Sequence, residues 1–158
     1  MLNIFAIENP ENSMEWMIFL ANKYAGMFWK GTGLTLFIAV LGTLLGFLVG
    51  YVIGMIQDAQ ISPGDHVIRR LLLKLIKFAA AVYVEIFRDT PMIVQAMIIY
   101  FGIRQAGVEI TPVSAGILVT VLNTGAYMAE TVRAGIGSID QGQREGAWAM
   151  GMSPMKTM

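Results

Sequence analysis

Apolar and charged positions are segregated along this chain into long blocks. Residues 31–57 contain no charged side chain. As a helix rising about 1.5 Å per residue they extend roughly 40 Å, beyond the ~30 Å hydrocarbon core of a bilayer. A second charge-free window covers residues 110–129; with Thr111 as N-cap and Pro112 as first helical residue, it predicts a span over about 110–132. Between them, residues 90–103 are apolar but would reach only about 21 Å. A span there must extend past Arg104 to about residue 108, with Thr90 capping a helix that starts at Pro91.

Two other segments are amphipathic. Within residues 1–30, Trp16, Phe19, Tyr24, Phe28 and Trp29 alternate with Glu15, Lys23 and Lys30, a pattern suited to a helix lying in the membrane interface. The second follows Pro63, where residues 63–65 can start a helix. Arg70, Lys74 and Lys77 then fall within about 60° of one face, the leucines being left for protein or lipid. Arg69, Arg70, Lys74, Lys77 and Arg88 lie between the first two spans, and Arg133, Arg144 and Lys156 follow the third. Positive residues favour the cytoplasmic side, which predicts an external N-terminus and a cytoplasmic tail over about 138–158.

Composition agrees with lipid as the solvent. Of 158 residues, 56% are hydrophobic and 14% charged, against about 25% charged in soluble domains. Zero net charge argues against nucleic acid as a partner, and the absence of cysteine excludes disulfides and thiolate metal sites. The opening residues are acidic, unlike a cleaved signal peptide. No catalytic or metal-ligating set is expected, since His66 stands alone in a polar turn.

The remaining candidates are polar or small residues within the spans. Gly42, Gly46, Gly50 and Gly54 recur every fourth residue, drifting about 40° per step, and predict a helix-packing seam. Glu85 with Arg88, and Glu130 with Arg133, are i,i+3 pairs at the predicted cytoplasmic boundary. They read as boundary anchors or as braces of a gate. Gln95, Asn123 and Tyr127 are polar groups in apolar spans, suited to interhelical hydrogen bonding or to lining a pathway.

Three ordered stretches resemble the permease subunits of bacterial ABC importers of the polar amino acid uptake family. They are "GTGLTLFIAVLGTLLGFLVG", "YVEIFRDTPMIVQAMIIYFGI" and "NTGAYMAETVRAGIGSIDQGQREGAWAMG". The last leads into the family's cytoplasmic coupling loop, which begins Glu-Ala-Ala and has a glycine four residues after the second alanine. Here Glu145, Gly146, Ala147 and Gly151 occupy those places, with Ala149 between them. Glycine at 146 departs from the pattern and weakens a helix by about 1 kcal/mol relative to alanine.

The resemblance implies an all-α integral membrane protein, part of a type I ABC importer permease fold, with three spans in this chain. It implies a dimer of permease subunits in the lipid bilayer, ABC ATPase subunits docked on residues 145–151, and an extracytoplasmic amino-acid-binding protein. It also implies that this chain is the N-terminal part of a longer permease of about five spans. The chain has no P-loop, so ATP and Mg are expected on the partner ATPase. The alternatives are a secondary transporter or channel using the intramembrane polar residues as ligands, and a membrane anchor or assembly protein that does not transport.

Overall fold

The computed structural model describes residues 12–59, 61 and 66–157. Seven helices follow in order: α1 (Ser13–Lys23), α2 (Ala25–Asp58), α3 (Val67–Asp89), α4 (Met92–Gln105), α5 (Pro112–Gly137), α6 (Gln141–Ala149) and α7 (Pro154–Thr157), with no strand among the described residues. The chain forms two compact units, Met1–Ala39 and Val40–Met158.

In the first unit, the aromatic stretch expected as one interfacial helix is interrupted. The backbone leaves helical geometry at Tyr24, and residues 25–29 belong to α2 instead. On α1, Trp16 meets Phe19 edge to face with centroids 5.9 Å apart, and the Lys23 ammonium lies 5.2 Å from the Phe19 centroid.

The second unit is organised around α5, against which α3 and α4 pack. The seam with α2 is made by backbone approach. A methyl group at Gly42 would lie 2.6 Å from the Thr120 Cβ, at Gly46 2.7 Å from the Thr124 Cβ, and at Gly54 2.7 Å from the Val132 Cβ. Partners on α5 advance in step with the glycines, so α2 and α5 run parallel. Small residues allow this spacing, and they also fill α5's buried face: Ala115, Gly125, Ala126 and Ala129, with Val119.

Large apolar side chains point away from the protein: Leu44, Leu48, Ile98 and Phe101 are all exposed. Among the described residues, the interior is small and the exterior is greasy, the arrangement of a bundle that has lipid for solvent.

Two helices, α2 with 34 residues and α5 with 26, are long and apolar enough to cross a membrane. Both exceed their predicted limits: α2 begins at Ala25 rather than 31, and α5 continues to Gly137 rather than 132. Thr111 caps α5 as expected, its hydroxyl accepting from the Ser114 N–H at 3.1 Å, with Pro112 first in the helix. The 14 residues of α4 reach only about 21 Å.

The predicted extension of α4 to residue 108 does not occur. Gly107 adopts φ +84, and the Gly107 and Val108 N–H groups donate back to the Arg104 and Ile103 carbonyls at 3.1 and 3.2 Å. This pairing terminates a helix, and glycine takes the left-handed position without a Cβ penalty. At the other end Thr90 does not cap α4. Its hydroxyl donates to the Ile86 carbonyl at 2.7 Å, closing α3, and α4 starts after Pro91.

The expected helix start at 63–65 lies outside the described residues; α3 begins at Val67, after an exposed His66. On the expected basic face Lys74 is exposed, whereas Arg70 and Lys77 are half-buried; Val67, Ile68, Leu71, Leu75 and Phe78 are exposed as well.

Candidate functional site

One face of α5 carries Asn123, Tyr127 and Glu130, spaced four and three residues apart, and all three engage the end of α3. The Arg88 Nη1 lies 3.7 Å from the Glu130 Oε2. Its guanidinium also sits 5.6 Å from the Tyr127 ring centroid, a cation–π distance. Arg133 grips the same carboxylate with two donors, Nε to Oε2 at 3.1 Å and Nη2 to Oε1 at 2.5 Å. Glu130 is therefore held between two arginines.

The pairing differs from the one that local spacing predicts. Glu130 and Arg133 do pair on α5, but Arg88 bridges to α5 instead of pairing with Glu85 one turn away. Among the described residues Glu85 has no ion pair; it lines a cleft of about 410 Å³ together with Gln57, Lys77, Arg88, Glu130 and Arg133. The Gln57 Oε1 is buried there without a hydrogen-bond partner. Sequence reasoning missed Gln57 and Lys77 as neighbours of this cluster. Their contact depends on how three helices converge, and no local pattern reports it.

Gln95 and Asn123 converge on the junction between α3 and α4. Gln95 is buried at 6% exposure. Its Nε2 donates to the Phe87 carbonyl at 3.0 Å, the Thr90 carbonyl at 2.9 Å and the Thr90 hydroxyl at 2.8 Å. The Asn123 Nδ2 donates to the same Phe87 carbonyl at 3.0 Å and lies 3.5 Å from the Gln95 Oε1. Tyr83 adds a further tie, donating to the Leu122 carbonyl at 2.6 Å. Its hydroxyl occupies the space that a Cβ on Gly125 would need. Tyr127 itself is half-exposed under Arg88.

Beyond α5, Asp140 caps α6 by accepting from the Gly142 N–H at 2.8 Å. The helix closes on Gly151 at φ +79, with Gly151 N–H donating to the Trp148 carbonyl at 2.9 Å and Met152 N–H to the Ala147 carbonyl at 3.1 Å. Gly151 is thus the left-handed residue that ends the helix. Arg144 reaches back to donate to the Ile136 carbonyl, tying α6 to the end of α5. Glu145, Gly146, Ala149 and Gly151 are exposed and Ala147 is half-buried; Trp148, Met150 and Met152 are exposed beside them.

The family profile described as "Binding-protein-dependent transport system inner membrane component" matches residues 66–158, more than half of the chain. The chain belongs to this family. Among curated relatives, the probable amino-acid ABC transporter permease protein YckA of Bacillus subtilis (strain 168) is 31% identical over 151 residues, 93% of this chain and 62% of the relative. The glutamine transport system permease protein GlnP of Escherichia coli (strain K12) is 34% identical over 131 residues, 82% of this chain and 54% of GlnP. A chain in a crystal structure of an amino acid ABC transporter with histidines aligns with TM-score 0.74 and 32% identity, covering 95% of this chain and 62% of that one. This chain thus spans less than two thirds of these relatives' length. Membership of an inner-membrane transport family agrees with the apolar exterior of the bundle.

Proposed function

We propose that this chain forms part of the translocation pathway of an ATP-driven amino acid importer and couples it to a separate ATPase through α6. The observation that carries this reading is the attachment of α6. It is a capped, nine-residue helix hung from α5 by Arg144, and it leaves Gly146, Trp148 and Ala149 exposed. Such a surface suits docking into a groove of another protein, because small residues permit close seating and Trp148 supplies an apolar anchor.

The parallel course of α2 and α5 supports a chain that crosses three times. Two consecutive apolar spans can point the same way only if the segment between them returns across the membrane, and α4 with the end of α3 is the apolar segment available. The basic residues of α3 and of the segment after α5 favour the cytoplasm on that side, leaving the N-terminus outside. Arg88, Glu130 and Arg133 then sit at the cytoplasmic end of the bundle, with Glu85 beside them, and brace its gate. The names of the relatives support a polar amino acid as cargo. A second permease subunit, two ATPase subunits and an extracytoplasmic binding protein complete the importer, with ATP and Mg held by the ATPase.

The test is uptake of radiolabelled amino acids into proteoliposomes holding the full-length permease, its ATPase and its binding protein. Accumulation that requires internal ATP supports the reading. Equal uptake without ATP would replace it with a secondary transporter.

A further inference from the structure

The break between α3 and α4 exposes carbonyl groups that a continuous helix would have used. The last turn of a helix leaves its carbonyls without intrahelical donors, and each then needs a donor from elsewhere. Here each carbonyl with a described partner receives a side-chain donor: Ile86 from the Thr90 hydroxyl, Phe87 from both Gln95 and Asn123, and Thr90 from Gln95. Gln95 is the buried polar residue of the core among the described residues. Its amide nitrogen, on α4, reaches acceptors at Phe87 and Thr90, both before Pro91, and its oxygen faces Asn123 on α5.

We infer that Gln95 is a positioning residue that sets the angle between α3 and α4 and locks their joint onto α5. The lock consists of donated hydrogen bonds, since a side chain of similar volume without an N–H would leave the Thr90 carbonyl unsatisfied. Phe87 would retain only Asn123. Without these donors the Phe87 and Thr90 carbonyls no longer tie the end of α3 to the first turn of α4, and they take other partners. Removing the Gln95 donors therefore frees the joint to sample several angles. The inference rests on hydrogen bonding alone and stands apart from the transport reading.

The experiment uses the full-length chain, assembled with its partner subunits in lipid nanodiscs and diluted with unlabelled chain. Spin labels are placed at Phe78 on α3 and Ile98 on α4, both outward-facing. Pulsed electron–electron double resonance then reads the distribution of distances between the two helices. The parent protein gives one narrow population. Gln95→Met, which keeps the length of the side chain, gives a broad or shifted one. Gln95→Glu, whose carboxylate keeps the shape of the amide but has no donor, also broadens or shifts the distribution, and Asn123→Leu broadens it less than Gln95→Met. If Gln95→Met proves too unstable to assemble, the Glu and Leu variants still decide the matter. A narrow, unshifted population in Gln95→Met, or parent-like populations in both other variants, would overturn the inference.

Discussion

Arg88 on α3 lies 3.7 Å from Glu130 on α5, so the cation expected to serve its own helix joins two helices instead. The carboxylate it meets is also held by Arg133, which makes Glu130 the shared member of the cluster. Glu130→Gln should therefore be more damaging than Arg88→Gln. The first leaves two arginines without their anion, and the second leaves the Glu130–Arg133 pair intact. All three side chains are partly exposed, at 39%, 26% and 54%, so the Arg88–Glu130 coupling should be modest, roughly 0.2–1 kcal/mol and weaker at high salt. A double-mutant cycle on thermal unfolding in detergent measures it.

Gly50 should tolerate no side chain. A Cβ there would lie 2.6 Å from the Met128 Cβ and 2.9 Å from the Ala129 nitrogen, against the backbone of α5. Gly50→Ala should destabilise the bundle by about 1–3 kcal/mol, as overpacking does. Gly33, which has nothing within 4 Å of its Cβ position, is the control. Gly33→Ala should be neutral or should stabilise α2 by up to about 1 kcal/mol. Thermal unfolding of the two variants separates packing from propensity.

The two glycines around α6 should respond in opposite directions. Gly146 lies inside the helix with open space around it, so Gly146→Ala should stabilise α6 by about 1 kcal/mol. Gly151 has φ +79, where an L side chain costs about 1–2 kcal/mol, so Gly151→Ala should fray the end of α6. Hydrogen exchange of the amides of residues 145–152 reads both effects.

Arg144→Ala should loosen α6 from α5 without unfolding the bundle, because it removes the donor to the Ile136 carbonyl and leaves the glycine seam untouched. The expected outcome is a lower ratio of amino acid taken up to ATP hydrolysed, at an unchanged melting temperature. Equal ratios in the variant and the parent would show that this bond carries no coupling.

What the sequence made legible was whatever depends on short range. The charge-free runs announced α2 and α5, Thr111–Pro112 marked the start of α5, and the four-residue glycine period marked the side of α2 that meets α5. The three stretches that resemble ABC importer permeases led to the family that the profile match shows. Local spacing failed where a partner comes from far along the chain. Arg88 meets Glu130 across 42 positions because α3 crosses α5 there, and an i,i+3 rule cannot anticipate this. Thr90 read as a helix N-cap because Thr-Pro has that form, yet its hydroxyl serves the helix that is ending. The orphaned oxygen of Gln57 had no sequence signal at all.

The central claim is that α6 delivers the motion of an ATPase to this bundle, and site-directed crosslinking tests it most directly. A cysteine replacing Ala149, which is exposed on α6, is introduced into the full-length permease co-expressed with its ATPase. Cysteines are placed in turn along the ATPase surface groove. The account predicts a disulfide crosslink from Ala149→Cys, with a yield that changes when ATP is added, and none from a cysteine at Leu48, exposed on α2. Absence of any crosslink from α6 in an assembled, ATP-hydrolysing complex would contradict it.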